Sequence, residues 1–129
     1  MKEREIKVLK VSPCKAPEVV TLVNKLEELQ KAVSIGAYFV GLIEIIAIDD
    51  DICALMNQEG KILNLPVNRR IGHDVICGVF YIVGEDSEEG ELTSLSDGDI
   101  EKYKAIFADT SPVVMTDAER NKLCSFRIF

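Results

Sequence analysis

The stretch Val75-Ile76-Cys77-Gly78-Val79-Phe80-Tyr81-Ile82-Val83-Gly84 decides the fold that the sequence predicts. It is rich in β-branched and aromatic residues, which pack well on the pleated surface of a strand. Residues 66–74, which precede it, contain glycine, asparagine and two arginines and predict an irregular loop. Residues 85–91, which follow it, are acidic and predict an exposed connection. The stretch therefore predicts one strong strand over residues 75–84.

Further strands are predicted on the N-terminal side of this stretch. Residues 5–12 and 18–23 favour extended structure, and two prolines between them predict the turn of a hairpin. Residues 38–48 are the most apolar segment and predict a buried strand, in which Glu44 marks an edge, a kink or a paired carboxylate. The remaining predicted elements are a turn at 49–51, a strand at 52–56, a tight turn at 57–60 with positive φ available to Gly60, and a short strand at 61–65.

Two main helices are predicted from capping residues and helical periodicity. Asn24 as N-cap, with Glu27 in the capping-box position, predicts a helix that ends before Gly36. Ser96 predicts the start of the second helix, with Asp99 three residues later. The apolar faces of the two helices comprise Leu26, Leu29 and Val33 in the first and Ile100, Tyr103, Ile106 and Phe107 in the second, where Leu95 and Ile100 predict a hydrophobic staple.

The order of these elements, ββαββ(β)βα followed by a tail, predicts the fold class. Thr116 and Glu119 form a third capping box before a short helix, and residues 126–129 are an apolar tail that suits a final strand or a dimer contact. Short turns between strands favour antiparallel pairing. We therefore expect a single α+β domain over residues 1–129, with two layers: a mostly antiparallel sheet of about five strands and two main helices on one face.

The charge distribution disfavours nucleic acid as a direct partner. The formal net charge is −7, and residues 85–101 contain acidic side chains but no basic one. Such a surface repels phosphate.

The longest apolar stretch, residues 36–48, is too short to span a bilayer. The charged N-terminus has no apolar signal region, so the expected location is the cytoplasm.

The sequence predicts no catalytic residue, no metal site and no cofactor. The cysteines, Cys14, Cys53, Cys77 and Cys124, are widely spaced, which favours reduced thiols over a zinc site. The single histidine, His73, precedes Asp74, but no partnered nucleophile is evident. The glycines match neither dinucleotide-binding nor phosphate-loop spacing. An enzyme is therefore not predicted, although a site assembled from distant residues stays open.

Three segments, taken in their order and spacing, resemble a known family. They are Asn57-Gln58-Glu59-Gly60-Lys61-Ile62-Leu63-Asn64-Leu65-Pro66-Val67-Asn68-Arg69, then Gly78-Val79-Phe80-Tyr81-Ile82-Val83-Gly84, and then Leu92-Thr93-Ser94-Leu95-Ser96-Asp97 with Glu101-Lys102-Tyr103-Lys104. Together they are similar to the bacterial and phage family called domain of unknown function 3846. The resemblance covers residues 6–107 and implies a variable C-terminal extension at 108–129. Its occurrence in gut bacteria, phages and conjugative elements implies an accessory role on mobile DNA, without a biochemical activity.

The richest polar cluster is the candidate ligand or partner site. Its residues are Asn57, Glu59, Asn68, Arg69 and Arg70. Arginine forks bind carboxylate or phosphate bidentately, and loops often carry function. The alternative is structural: residues 57–60 form only a turn, while Asn68 and Arg69 tie the following loop to the sheet.

Two functions remain open from the sequence. The first is a non-enzymatic accessory protein of a bacterium or mobile element, which acts as a protein-interaction module with a protein partner. The second is a module that binds a small anionic ligand or nucleotide through the Asn68–Arg69 loop. A homodimer also suits the chain, because an antiparallel sheet has exposed edges.

Overall fold

The computed structural model describes residues 4–119 of the chain. Over this range it is an α+β protein with eight strands and two main helices. The elements are β1 (Glu5–Val11), β2 (Glu18–Val23), α1 (Leu26–Val33), β3 (Ile43–Asp49), β4 (Ile52–Asn57), β5 (Val67–Ile71), β6 (Asp74–Cys77), β7 (Phe80–Asp86), β8 (Glu91–Thr93) and α2 (Asp97–Ile106). The predicted tail at residues 126–129 and Cys124 lie outside the described residues.

The main sheet is antiparallel and is built around β7. Its strand order is β2-β1-β7-β4-β3, and β8 pairs with the last residues of β7. Strands β5 and β6 form a separate hairpin. The predicted class, an α+β fold with a mostly antiparallel sheet of about five strands, is confirmed. The predicted hairpin of the first two strands is also confirmed, since Ile6 pairs with Leu22 and Val8 with Val20.

The two helices pack on opposite faces of the sheet, so the prediction that they share one face is wrong. Phe80 and Ile82 of β7 lie in one apolar cluster with the buried residues of α2. Tyr81 and Val83 lie in a second cluster with the buried residues of α1. Successive side chains of a strand point to opposite faces. The four consecutive apolar residues of β7, residues 80–83, therefore need cover on both faces, which gives three layers rather than two.

The stretch that decides the fold is two strands rather than one. Gly78 has φ of 90° and separates β6 from β7. A Cβ at this position would lie 2.9 Å from Cδ1 of Leu65, so a larger residue is disfavoured by space as well as by φ. The predicted loop over residues 66–74 is correspondingly wrong, because β5 pairs with β6 through a turn at Gly72. A glycine inside a strand pattern is the sequence signal of such a break.

Residues 58–65 differ from the prediction in two respects. The short strand expected at 61–65 is instead a series of turns, in which the Leu65 amide donates to the carbonyl of Gly60. Gly60 is required by close approach rather than by positive φ, since a Cβ there would lie 2.4 Å from the carbonyl oxygen of Cys77. The residue with positive φ in this region is Asn64.

The helix caps were predicted correctly for α2 and for the last helical turn, and wrongly for α1. The Ser96 hydroxyl accepts a hydrogen bond from the Asp99 amide at 3.1 Å. Thr116 and Glu119 form the reciprocal bonds of a capping box. Helix α1 instead begins after Lys25, without a side-chain cap. The Asn24 amide group donates to the carbonyl of Leu92 and so connects β2 to β8.

Candidate functional site

A cluster of exposed apolar side chains precedes and includes the edge strand β3. Tyr38 is fully exposed, and its apolar neighbours in the chain are each about half exposed. We call this cluster the 35–45 surface; its members are Ile35, Tyr38, Phe39, Val40, Leu42 and Ile45. The prediction of a buried strand over residues 38–48 is therefore wrong. The strand begins only at Ile43, and it lies at the end of the sheet, which agrees with the edge interpretation of Glu44.

A hydrogen-bonded group closes the base of the loop that carries this surface. The Ser34 hydroxyl, at the C-terminal end of α1, accepts a bond of 2.9 Å from the Gly41 amide. The same hydroxyl accepts a longer bond of 3.4 Å from Nδ2 of Asn57. The Ala37 amide donates to the Ser34 carbonyl within the loop. Residues 35–40 are thus held between two fixed points, and the apolar side chains are presented by a structured loop.

The outer edge of β3 is open in the part of the chain that the structure describes. Strand β3 pairs with β4 on one side and is last in the sheet order. The Gln58 amide donates to the Leu42 carbonyl, which shows that the backbone of Leu42 faces β4. In an antiparallel ladder, the backbone N–H and C=O groups of successive residues point alternately toward the partner strand and away from it. The backbone groups of Ile43, Ile45 and Ala47 consequently point away from β4, toward the open edge.

The Asn68 and Arg69 side chains are internal and tie several segments together. Nδ2 of Asn68 donates to the carbonyls of Val11 and Gly78, both at 2.9 Å. Its Oδ1 accepts a bond of 2.8 Å from Nη1 of Arg69. The Arg69 guanidinium also donates to the carbonyls of Ser12, Lys15 and Phe107. These contacts join β5 to the end of β1, to the following turn and to the end of α2.

Arg69 is 5% exposed, and the acceptors of its five hydrogen bonds are all neutral oxygens. Burial lowers the pKa of its guanidinium, while the charges of Cys14 and Asp109 act in the opposite direction. A guanidinium remains protonated in proteins. Its five N–H groups are matched by the five hydrogen bonds given above. The arrangement can hold the fold together, and it leaves no fork free for an incoming anion.

Arg70, the next residue, is exposed and anchors the chain after α2. Its two terminal nitrogens donate to the Glu119 carboxylate at 2.6 and 3.2 Å, and Nη2 also donates to the carbonyl of Val114. This bidentate pair lowers the pKa of Glu119 to about 2, with the Arg70 hydrogen bond as the main cause. The two adjacent arginines therefore connect different parts of the molecule.

The predicted site residues separate into three groups. Asn57 lies with Ser34 at the base of the 35–45 surface, and its Oδ1 accepts a bond from the Glu59 amide. Asn68 and Arg69 form the internal group, and Arg70 forms the third with Glu119. The structure does not bring all five predicted residues into one cleft. It brings one of them, Asn57, next to the exposed apolar residues.

The remaining polar residues weighed from the sequence have local partners. His73 is exposed in the β5–β6 turn, and the Asp74 carboxylate pairs with the ammonium group of Lys61. Oδ1 of Asp74 also accepts a bond from the Val75 amide. Burial raises the pKa of the Cys53 thiol to about 11, which disfavours the reactive thiolate. Over residues 4–119, no group of three His, Cys, Asp or Glu side chains is placed to hold a metal ion.

Two open grooves accompany these features. One, of about 280 Å³, lies between α2 and the ends of β3 and β5 and is lined by Ile48, Ile71, Tyr103 and Ile106 among others. At its margin the Asp49 carboxylate accepts a hydrogen bond of 2.7 Å from Lys102 and one of 3.2 Å from the Tyr103 hydroxyl. The Lys102 bond is the main reason that the pKa of Asp49 is lowered.

The second groove, of about 340 Å³, is acidic, with Asp51, Glu85, Asp86 and Asp99 on its walls.

Neither helix within residues 4–119 has the length and apolar content required to cross a membrane.

The fold and the site define a small α+β domain with an open sheet edge beside an exposed apolar loop. The family model described as Domain of unknown function (DUF3846) matches residues 6–108, so the chain belongs to this family. The resemblance identified from the three sequence segments is thus confirmed. No curated protein and no solved structure matches the chain.

The sequence interpretation did not identify the 35–45 surface, because apolar composition alone indicates burial. The available signal was the position of two glycines within the apolar segment. Gly36 has φ of 87° and lies in the turn that follows α1, while a Cβ at Gly41 would lie 3.0 Å from Nδ2 of Asn57. Glycines at both ends of a short apolar run indicate a loop rather than a continuous strand.

Proposed function

We propose that this protein is a non-enzymatic accessory protein that acts through protein–protein contact, in the cytoplasm of a bacterium or in the context of a mobile element. The observation that carries the proposal is the 35–45 surface beside the open edge of β3. The cellular context rests on the family resemblance, and the interaction rests on the geometry of this surface.

Exposed apolar side chains are informative when they are contiguous. Isolated ones are common on protein surfaces, whereas a continuous patch marks a contact site. Six large apolar residues are exposed within an eleven-residue segment here. Burying apolar area contributes roughly 25 cal/mol per Å². A partner that covers these side chains would therefore gain substantially from the contact, and the closed base of the loop reduces the entropy lost on binding.

The open strand edge adds a second means of contact. An extended segment of a partner can pair with the outward backbone groups of Ile43, Ile45 and Ala47 by β-strand addition. Backbone pairing supplies affinity, and the neighbouring side chains supply selectivity. The combination of an edge and an adjoining apolar loop is typical of an interaction module. It does not require a catalytic group.

The sequence also suggested a second function, the binding of an anionic ligand or nucleotide at the Asn68–Arg69 loop. The geometry of these two residues does not favour it. The Arg69 guanidinium is buried, and its donors are directed at backbone carbonyls. An anion would have to displace these bonds and open the joint between β5 and α2.

Site-specific photocrosslinking in cells of the source organism tests the proposal. A benzophenone amino acid replaces Tyr38, and the matched control carries it in place of Val114, which is also highly exposed but lies outside the 35–45 surface. We expect a discrete adduct from position 38 that the control does not give. Absence of such an adduct, or equal adducts from both positions, would contradict the proposal. The adduct mass shows whether the partner is another protein or a second copy of 14.3 kDa.

A further inference from the structure

We infer that the partner of the 35–45 surface is a second copy of this chain, joined by antiparallel pairing of the two β3 strands about a twofold axis at Ile45. The inference rests on the proposed function and names its partner. It makes the two main sheets continuous across the interface. It also places the exposed loops of both copies next to the contact.

The backbone of β3 determines the register of this pairing. Ile43, Ile45 and Ala47 direct their N–H and C=O groups to the open edge, because the backbone of Leu42 faces β4. Pairing centred on Ile45 lets all three residues bond across the interface. Ile45 then lies opposite Ile45 of the second copy, and Ile43 lies opposite Ala47. A β-bulge after Ala47 ends the regular edge, so the paired segment is bounded on that side.

The side chains of β3 are compatible with this register. Ile45 is 51% exposed and belongs to the face of the sheet that α1 covers, so its free half would contact the equivalent residue of the second copy. Glu44 would lie opposite Ile46, which avoids a pair of like charges. A register centred on Glu44 would place two carboxylates directly opposite each other, which is destabilising.

Charge also favours this surface as the place where two copies meet. The chain has a formal net charge of −7, so most of its surface repels a second copy. Residues 35–48 contain one charged side chain, Glu44. The acidic groove lined by Asp51, Glu85 and Asp86 begins at the β3–β4 turn, beyond the end of β3 at Asp49, and so lies outside the proposed paired segment at residues 43–47. Two identical acidic bodies can therefore approach at the 35–45 surface at low electrostatic cost.

The other edge of the sheet supplies the matched control. Strand β2 is also an edge strand, and its Val19 is 41% exposed, close to the exposure of Ile45. An arginine at either position remains accessible to solvent in the monomer, so both variants are expected to fold. Only Ile45→Arg places two like charges opposite each other in the proposed dimer.

Sedimentation velocity of the full-length chain over a wide concentration range tests the inference. We expect the wild type and Val19→Arg to form a species of twice 14.3 kDa. Ile45→Arg should weaken this association by about tenfold or more, which corresponds to about 1.4 kcal/mol. Circular dichroism confirms that each variant is folded. A wild type that stays monomeric overturns the inference, as does an Ile45→Arg variant that associates like the wild type.

A second variant tests the backbone pairing without adding charge. Proline at position 45 removes an amide that points to the open edge, so the β3–β4 ladder keeps its bonds in the monomer. Ile45→Pro should therefore also lose the dimer and keep its fold. A folded Ile45→Pro variant that still dimerises normally overturns the strand pairing. If Ile45→Pro does not fold, the result for Ile45→Arg alone determines whether the inference stands.

The failure of this inference is distinguishable from that of the proposed function. A monomeric purified chain that forms a Tyr38 adduct with a different protein in cells contradicts the dimer and supports the interaction function. A dimer of the purified chain that depends on Ile45, without any Tyr38 adduct in cells, supports the strand pairing and contradicts the interaction function proposed for cells. Loss of association in Val19→Arg alone would place the contact at β2 and overturn the inference.

Discussion

The interior pair Asn68–Arg69 and the exposed 35–45 surface reverse the usual distribution of polar and apolar residues. The pair contains an arginine and an amide that are almost fully buried, while the surface contains an aromatic residue that is fully exposed. Polar groups can be buried when their hydrogen bonds are satisfied. Contact of apolar side chains with water is unfavourable relative to burial, so exposed apolar groups remain available to a partner. In this chain the buried polar pair holds segments of the fold together, whereas the exposed apolar residues form the surface for which we propose contact with a partner.

The largest effect is expected on removing the guanidinium of the interior pair. Arg69→Met fills similar space but leaves the carbonyls of Lys15 and Phe107 without their donors, and each unsatisfied buried group costs free energy. We expect a loss of about 3 kcal/mol in the free energy of unfolding, measured by urea denaturation, because several buried carbonyls lose their donors at once. Arg70→Met is the matched control at the adjacent, exposed arginine and should have a much smaller effect. Equal effects of the two substitutions would remove the distinction between interior and surface.

The second largest effect is expected at Asn68. In Asn68→Leu the carbonyls of Val11 and Gly78 both lose the amide donor, and Nη1 of Arg69 loses an acceptor. A loss of about 2 kcal/mol in the free energy of unfolding should follow. The double variant with Arg69→Met should lose less than the sum of the two single losses, because they share one hydrogen bond. Strict additivity in urea denaturation would show that the pair does not act as a unit.

The exposed surface should show the opposite behaviour. Phe39→Ser should lower the free energy of unfolding by only about 1 kcal/mol, because no more than about half of the side chain is buried in the folded chain. The same substitution should weaken self-association of the full-length chain. Urea denaturation and sedimentation velocity measure the two quantities on the same sample. A large loss of stability together with unchanged association would show that Phe39 belongs to the core.

The smallest effect concerns the pH dependence of the Arg70–Glu119 pair. The pKa of Glu119 is lowered from 4.5 to about 2 in the folded chain, so its contribution to stability is present above pH 4.5 and is lost as the pH falls toward about 2. The difference in urea midpoint between wild type and Glu119→Gln should shrink over that window. A difference that stays constant down to pH 2 would show that the pair does not form in solution.

Much of the fold was predictable because local patterns and tertiary packing agree there. The strands at residues 5–11 and 18–23 are confirmed, as is the Ser96 cap, since each depends on alternation or on one capping bond. The division of the stretch at Gly78 and the β5–β6 hairpin were missed. Gly78 is a local signal in the sequence, but only the structure shows that Leu65, thirteen residues away, packs where a Cβ at this glycine would lie.

The candidate site was less predictable than the fold. Residues 57–70 are rich in polar groups, as the sequence shows, but the grouping of these side chains depends on distant carbonyls such as those of Ser12 and Phe107. The exposure of Tyr38 was also not predictable, because composition does not show whether another element covers an apolar loop.

The sequence by itself determined the α+β class, the acidic balance and, through three segments in their order and spacing, the family, because these follow from composition and from patterns along the chain. Tertiary structure alone decided that the helices lie on opposite faces, that Arg69 is internal while Arg70 is exposed, and that residues 35–45 are uncovered. Each of these depends on which distant segments meet. Residue type sets what a side chain can do, and the packing around it sets whether it stabilises the fold or stays free to bind.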